Sequence, residues 1–304
     1  MMISQQRLNG VEIFTIENKH LKISLSPTLG GKIISVYNNK LAKEFLWTNQ
    51  QLALKINPPG SDYDSNFFGG IDELIPNDVP ENIDAIDYPD HGELWCTILQ
   101  AEQLEQSIKV HGTLALSGIH YSKTVSLDEK LPVINCDYTL RNDSSERRHF
   151  LWKLHAALNI TSGDQLVTSA NNGQVIDPDY SRFKTTGEFN WPLIENADAS
   201  NVPPNNNTMD FFYLYNIPSA EMQMVSGKKE HLFSYRYDKK VFPYQWYFAS
   251  YGGFLGHYTA ILEPCTNMPM NVNAAIAANQ CAVLEPGESL TTAVQIFAGE
   301  KQLY

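Results

Sequence analysis

The stretch VEIFTIENKHLKISLSPTLGGKIISVYN, residues 11–38, sets the fold class. Within it, VEIFTI (11–16), LKISLS (21–26) and KIISVYN (32–38) are short runs, rich in β-branched residues, in which apolar and polar side chains alternate. Alternation with a period of two is typical of a half-buried β-strand. A Gly-Gly pair at 30–31 stands between the last two runs, where a hairpin needs a positive φ. The stretch therefore predicts antiparallel β-structure.

The same pattern continues along the rest of the chain, with turn residues between the runs. No sustained helical periodicity and no βαβ alternation interrupts it, so the sequence predicts an all-β protein, a large antiparallel sandwich or barrel. At this size such a fold is commonly one domain, here 1–304. The further strand-like runs are LWCTILQAEQ (94–103), SIKVHGTLAL (107–116), HYSKTVSL (120–127), PVINCDYTLRN (132–142), FLWKLHAALNI (150–160), LFSYRYD (232–238), YTAILEP (258–264), AAIAANQCAVL (274–284) and SLTTAVQIFAG (289–299).

Charge and composition exclude several classes of function. A net charge of -12 disfavours nucleic acids and anionic membranes, because both require clustered Lys and Arg. The N-terminal residues lack the pattern of a signal peptide, and no apolar run reaches the ~20 residues of a membrane span. Four scattered cysteines without a C-x-x-C pair fit free thiols in a reducing compartment. We expect a cytoplasmic protein, monomeric or homodimeric.

Two long irregular segments, Asn57 to Asp90 and Asn171 to Asn207, interrupt the strands. Loops of this length in a compact β-protein are usually functional or mobile. Residues 56–108 contain no Lys or Arg but 12 Asp and Glu, most of which we expect on a solvated face. This acidic region would repel a phosphate group.

Three residues and one aromatic stretch could carry chemistry. The stretch is FPYQWYFASYGGF (242–254), and such a stretch is more often part of a core than a platform for a ligand. His91 lies in PDHGELW (89–95), between two carboxylates and beside a glycine; alone, this pattern is equally typical of a turn. His155 lies in an otherwise apolar strand, where a structural histidine is the more common case. Glu263 ends an apolar run, and a carboxylate in such a strand is rarely buried without a partner or a purpose.

Taken together and in order, these segments resemble the aldose 1-epimerase (galactose mutarotase-like) family from about Gly30 to Gly299. Each motif alone is weak, but the combination is fairly specific. The motifs are GGKIISVYN (30–38), EFLW (44–47), FFGGIDELIPN (67–77), PDHGELW (89–95), the strand that carries His155, FPYQWYFASYGG (242–253), LEPCTNMP (262–269) and LEPGESL (284–290).

The resemblance implies a fold and a set of site residues. The fold of that family is a large antiparallel β-supersandwich whose concave face binds a sugar. The family's two histidines match His91 and His155, and its catalytic glutamate matches Glu263. The best-known members carry an Arg-containing segment before the first histidine, whereas GGIDELIPND (69–78) has no arginine. In this the sequence looks more like divergent branches of the superfamily, including the hexose-phosphate epimerase-like ones, but those use arginines to bind the phosphate and this loop offers none. We therefore expect a neutral monosaccharide as substrate.

Interconversion of sugar anomers requires a base for the C1 hydroxyl and an acid for the ring oxygen. A desolvated carboxylate suits the first role and an imidazolium the second, so we expect Glu263 and His155 to be catalytic, with neither cofactor nor metal. His91 would contact the ring oxygen or a neighbouring hydroxyl. Carbohydrate sites also need apolar surface and further polar groups. The remaining candidates for substrate binding are Trp152, Trp246, Asn77 and Asp72.

Three alternatives compete with an epimerase. The first is a carbohydrate-binding protein of the same fold, since fold does not imply activity. The second is a glycoside hydrolase or lyase, in which Glu93 or Asp72 would face Glu263 as the second carboxylate. The third is a metal site at Asp90, His91 and Glu93, which fails because a strand presents at most two of these residues on one face.

Overall fold

The computed structural model describes residues 1–304 and consists almost entirely of β-strands and the turns between them. The strands are β1 (Met2–Leu8), β2 (Val11–Glu17), β3 (Leu21–Ser26), β4 (Lys32–Asn38), β5 (Lys43–Glu44), β6 (Ile71–Leu74), β7 (Glu81–Ile83), β8 (Ile86–Tyr88), β9 (Gln100–Gln103), β10 (Ser107–Thr113), β11 (Ile119–Leu127), β12 (Val133–Asn142), β13 (Arg148–Phe150), β14 (Lys153–Leu158), β15 (Gln165–Thr168), β16 (Asn172–Val175), β17 (Glu188–Asn190), β18 (Leu193–Ile194), β19 (Ala197–Asp198), β20 (Thr208–Tyr215), β21 (Glu221–Val225), β22 (His231–Arg236), β23 (Tyr244–Tyr251), β24 (Tyr258–Cys265), β25 (Ala282–Leu284) and β26 (Ser289–Glu300).

Two large antiparallel sheets contain most of these strands. Twelve strands form one sheet in the order β1-β2-β3-β4-β6-β14-β24-β23-β20-β16-β17, with β5 paired to β4. Eight strands form the other, in the order β15-β21-β22-β26-β12-β11-β10-β9. A cluster of 55 buried apolar residues draws side chains from both sheets. The predicted all-β sandwich is confirmed.

The hairpin predicted around Gly30 and Gly31 forms. Strands β3 and β4 pair antiparallel, and a short 3-10 turn at Pro27–Leu29 lies between them. Gly30 and Gly31 have φ of 66° and 81°, a region that glycine enters at little steric cost. A side chain at Gly30 would place its Cβ 2.2 Å from the carbonyl oxygen of Leu94, so this position also needs glycine for space.

Two predicted strands are wrong in part. The run 274–284 begins inside the only α-helix, α1 (Val272–Ala277), and only its end is strand β25. Alanine favours the helix, and the Asn271 side chain caps it by accepting a hydrogen bond from the backbone N–H of Ala274. The run 94–103 begins with a 3-10 turn at Leu94–Cys96. Two further 3-10 turns span Asp64–Asn66 and Lys301–Leu303. None of these helices has the length and apolarity needed to cross a bilayer.

The middle of the twelve-stranded sheet brings the candidate residues into one line, here called the central row. Ala156 pairs with Leu262, so His155 on β14 stands beside Glu263 on β24. On the other side of β14, His155 pairs with Asp72 on β6. On the other side of β24, Glu263 pairs with Trp246 on β23, which in turn pairs with Tyr213 on β20. Because side chains alternate between the faces of a sheet, the members of such a row point to one side.

Candidate active site

A cavity of about 170 Å³ lies over the central row of the twelve-stranded sheet. His155 and Glu263 form part of its floor, and His91 contributes to its wall from the turn that follows β8. The structure therefore brings together the three residues that the sequence motifs single out. The cavity is lined by Tyr63, Asp64, Phe67, Asp78, His91, Lys153, His155, Phe211, Phe248, Phe254, His257, Thr259, Ile261 and Glu263.

A buried ion-pair network holds the glutamate. The Nζ atom of Lys153 lies 2.8 Å from Oε2 of Glu263 and 2.5 Å from Oδ1 of Asp78. All three residues are nearly inaccessible, with 3% of Lys153 and 1% of Glu263 exposed. One ammonium group thus compensates two carboxylates at the bottom of the cavity.

His91 is held by its own turn. Its φ is 56°, an uncommon value for a residue other than glycine, and its backbone N–H donates to the carbonyl of Asp78. Its Nδ1 lies 2.9 Å from Asp90 Oδ1, and its Nε2 lies 3.7 Å from Asp78 Oδ1. The ring stacks on Tyr63 with a centroid distance of 4.0 Å and an interplanar angle of 11°. These contacts fix the direction in which the imidazole faces the cavity.

Tyr63 connects the two histidines. Its hydroxyl group donates to Asp72 Oδ2 at 3.0 Å and lies 3.4 Å from Nδ1 of His155. Asp72 is itself paired with Lys32 at 3.0 Å. A tyrosine, itself bonded to an ion pair, therefore lies against His155 and restricts the orientation of its ring.

The electrostatic environment shifts the pKa values of Glu263 and His155 in opposite directions. Burial raises the pKa of Glu263 above its usual value, against the opposing effect of the Lys153 ammonium. Burial lowers the pKa of His155 well below its usual value, and the charges of Lys153 and His91 lower it further. The raised pKa of Glu263 was expected. The expectation of an imidazolium at His155 is wrong: with its pKa lowered, the neutral ring predominates near neutral pH.

Charge on Lys153 and Asp78 is stabilised despite their burial. Desolvation alone lowers the pKa of Lys153, but Asp78 and Glu263 outweigh it, and the net shift is upward. Desolvation raises the pKa of Asp78, but Lys153 and His91 outweigh it, and the net shift is downward. Both groups are therefore charged at neutral pH. Pairs of groups with strongly perturbed pKa values in a cavity are typical of functional sites.

Two predicted polar contacts with substrate are corrected by the structure. Asp72 is buried beneath Tyr63 and Lys32 and does not line the cavity. Asn77 is fully buried, and its side-chain amide donates to the carbonyls of Val79 and Pro89, which shapes the loop before His91. Both residues support the site from behind its wall.

The two predicted stacking tryptophans are also corrected. Trp152 is completely buried in the core cluster shared by the two sheets, where it packs against Tyr138 and Phe242. Trp246 belongs to the central row, but it is completely buried as well, and its indole N–H donates to the carbonyl of Asn267. Its ring lies 4.9 Å from Nζ of Lys153 and supports that side chain from below.

Of the two irregular segments, only the first reaches the cavity. It supplies Tyr63, Asp64, Phe67 and Asp78, whereas no residue between 171 and 207 lines it. Of the 12 carboxylates in the acidic region, four are buried rather than solvated. These four are Asp72, Glu73, Asp78 and Glu93.

Sequence reasoning missed Lys153 and the aromatic residues of the cavity. A signal for Lys153 was present, because in a strand it lies two residues before His155 and so on the same face. Phe248 and Phe254 lie in the aromatic stretch 242–254, a candidate segment in which the sequence alone favours core residues. Phe211 lies outside that stretch and carried no signal. No group of three or more His, Cys, Asp and Glu residues is arranged to hold a metal ion.

The two sheets and their strand arrangement define a galactose mutarotase-like fold. A galactose mutarotase-like protein from Clostridium acetobutylicum is 14% identical, with 98% of each chain covered and a TM-score of 0.73. The protein Slr1438 from Synechocystis sp. PCC 6803 gives the same values. A protein from Escherichia coli K12, provisionally named an aldose 1-epimerase, is 14% identical over 96% of this chain and 100% of its own, with a TM-score of 0.72.

No protein-family model matches the sequence, and no curated protein is significantly similar to it. At 14% identity, the similarity to these solved structures shows the fold alone.

Proposed function

We propose that the protein is an aldose 1-epimerase that interconverts the α and β anomers of a neutral monosaccharide. The observation that supports this most directly is the position of Glu263 and His155. They are neighbours in the central row, they line one cavity, and their pKa values are displaced in opposite directions. A carboxylate and an imidazole side by side are suited to exchange protons with two oxygens of one sugar.

In the proposed reaction, Glu263 takes the proton of the C1 hydroxyl while His155 gives a proton to the ring oxygen. The C1–O5 bond breaks and an open-chain aldehyde forms. Rotation about C1–C2 presents the other face of the aldehyde, and the two protons return by the reverse steps. No atom is gained or lost, so the reaction needs no co-reactant.

The competent state combines ionised Glu263 with protonated His155. The ion pair with Lys153 favours the first condition, because it opposes the effect of burial on the carboxylate. The lowered pKa of His155 makes the protonated state a minority, but it also makes the imidazolium a stronger acid towards the ring oxygen. His91, oriented by Asp90 and Tyr63, would bind a hydroxyl group beside the ring oxygen.

The charges of the cavity support a neutral substrate. Its only lysine is already shared by two carboxylates, and Asp64 adds a third carboxylate to the lining. No arginine lines the cavity. A sugar phosphate or a sugar acid would meet this acidic lining without a free cation, which disfavours its binding.

The direct test is anomer exchange measured by NMR on a panel of free aldoses, with the spontaneous rate as the baseline. We expect Glu263→Gln to lower kcat by about two to four orders of magnitude, the range typical of a general base. Glu129→Gln, at an exposed turn, is the matched control and should leave the rate unchanged. Full activity in Glu263→Gln would refute the assignment of the base.

The same experiment separates the alternatives. A carbohydrate-binding protein would bind a sugar without accelerating exchange. The hydrolase hypothesis requires Glu93 or Asp72 as a second catalytic carboxylate, and both are engaged elsewhere. Asp72 is paired with Lys32, and Glu93 accepts hydrogen bonds from the backbone of Leu116 and Ser117. Neither of them lines the cavity.

A further inference from the structure

Two neighbouring rows of side chains contribute to the floor of the cavity. One is the central row with the polar residues His155 and Glu263, and the other is apolar. Beside the central row, and two residues along each strand, lies a second row, here called the apolar row. It consists of Ala157, Ile261, Phe248 and Phe211, in that order across the sheet. Side chains two residues apart on a strand are separated by about 6.6 Å, which is comparable to the width of a sugar ring. A sugar held at C1 by the central row therefore extends over the apolar row.

Aromatic rings continue this apolar surface up the wall. Phe248 contacts Phe211 and Phe254, with ring centroids 5.7 and 5.4 Å apart. Phe254 contacts His257 at 6.2 Å, and His257 contacts Phe67 at 6.4 Å. The ring contacts therefore run without a break from Phe211 through Phe248, Phe254 and His257 to Phe67.

The hydroxyl groups near this half of the cavity already donate their protons to backbone carbonyls. Thr259 donates its hydroxyl proton to the carbonyl of Leu158, and Ser250 donates to the carbonyl of His257. The remaining polar group is the His257 imidazole, whose Nε2 is buried without a partner. One sugar hydroxyl could therefore bond to this imidazole, but any further hydroxyl in this half of the cavity would lack a donor or acceptor of its own, and a buried polar group without a hydrogen bond is costly.

We propose that the substrate is a deoxy sugar, a monosaccharide in which hydrogen replaces a hydroxyl at a position away from C1. This inference rests on the proposed function, since the central row must hold C1 and the ring oxygen. The deoxygenated edge, as a C–H or methyl surface, packs on Ile261, Phe248 and Phe211. The polar edge faces Glu263, His155 and His91.

The test compares kcat/KM for anomer exchange of D-glucose and D-galactose with their 3-, 4- and 6-deoxy analogues. We expect at least one analogue to exceed its parent by about ten- to a hundredfold, the discrimination that an apolar pocket achieves against an added hydroxyl. Ile261→Thr places a hydroxyl in the middle of the apolar row and should reduce this preference to a few-fold. Ile261→Val has the same shape without the hydroxyl and should keep it.

The outcomes separate this inference from the proposed function. Glu263-dependent exchange in which no analogue exceeds its parent overturns the deoxy-sugar assignment and leaves the epimerase standing. If no sugar is exchanged, binding of the same pairs by saturation-transfer NMR decides. A preference for a deoxy analogue that Ile261→Thr removes supports the apolar row as a recognition surface without catalysis. Equal binding, or no binding, overturns the inference.

Discussion

At the scale of single residues, Lys153 has the largest influence on the cavity. A lysine is seldom buried unless it is paired, and here it pairs with two carboxylates at once. It also lies close enough to His155 to lower the pKa of that imidazole. After burial, the residue is therefore the next largest influence on the pKa of both proposed catalytic groups, and we assign it no proton exchange with the sugar. We regard it as a positioning residue.

Lys153→Met should move the whole pH profile of kcat/KM to higher pH. Lys153 lowers the pKa of Glu263 and of His155, so its removal raises both. The acid limb, where Glu263 must lose its proton, and the alkaline limb, where His155 must keep its proton, then shift in the same direction. The profile is measured by anomer exchange on variant protein whose circular dichroism matches that of the wild type.

Lys153→Arg is the control for charge, since it keeps the cation and should hold the profile near its original position. A variant that loses activity without any shift of either limb would indicate a purely structural lysine. Stability needs a separate measurement, because removing one member of a buried ion pair typically costs about 3–5 kcal/mol.

The residues that sequence reasoning found and those it missed differ in their physical signal. Glu263 and His155 are polar residues in apolar strands, an unusual pattern that the sequence alone displays. The sequence predicted that Trp152 and Trp246 stack on the sugar, because a tryptophan in a strand suits a core and a binding face equally. Only the three-dimensional packing, with Trp152 in the core and Trp246 beneath Lys153, separates these cases.

At the scale of elements, the turn in PDHGELW determines where His91 points. His91 and Gly92 both have positive φ, 56° and 71°. A Cβ on Gly92 would lie 2.1 Å from the carbonyl oxygen of Ile75, so the turn packs directly against the end of β6. The sequence suggested a turn or a functional histidine at this site, and the structure shows a turn that presents the histidine to the cavity.

Gly92→Ala should lower both stability and epimerase activity, because the Cβ clash must displace the turn and with it His91. Gly287→Ala is the matched control. Gly287 has a similar φ of 77°, but its added Cβ would meet nothing within 4 Å. The difference between the two variants in urea midpoint and in KM isolates the clash from the strain of a positive φ. Equal effects in both variants would show that the contact with Ile75 is unimportant.

Element types were predictable where one face of a strand is buried and the other is not. The strand predicted for 274–284 is wrong in its first part, because alanines do not distinguish the two faces of a strand and favour a helix intrinsically. The prediction that the acidic region 56–108 is solvated is wrong in part, for another reason. Its composition indicated solvent exposure, but Asp78 gains a buried partner from β14, which no local pattern reveals.

At the scale of the whole molecule, a further buried ion pair connects the two sheets. Lys123 on β11 of the eight-stranded sheet lies 2.9 Å from Glu73 on β6 of the twelve-stranded sheet, and both side chains are essentially inaccessible. The Lys123 ammonium also donates to the carbonyl of Gly31 at 2.6 Å, and the Tyr138 hydroxyl donates to Glu73 at 2.7 Å. Glu73 is next to Asp72 and, as its neighbour on the strand, points to the opposite face of the sheet.

Lys123→Met should therefore destabilise the protein by about 3–5 kcal/mol, because it leaves Glu73 charged and unpaired in the core. The double variant Lys123→Met/Glu73→Leu removes both charges and should recover most of that loss, since apolar pairs of similar volume often replace buried ion pairs at little cost. Urea unfolding of the two variants beside wild type measures both effects. A loss below about 1 kcal/mol in the single variant would instead place this pair among the weak, solvent-screened ion pairs of protein surfaces.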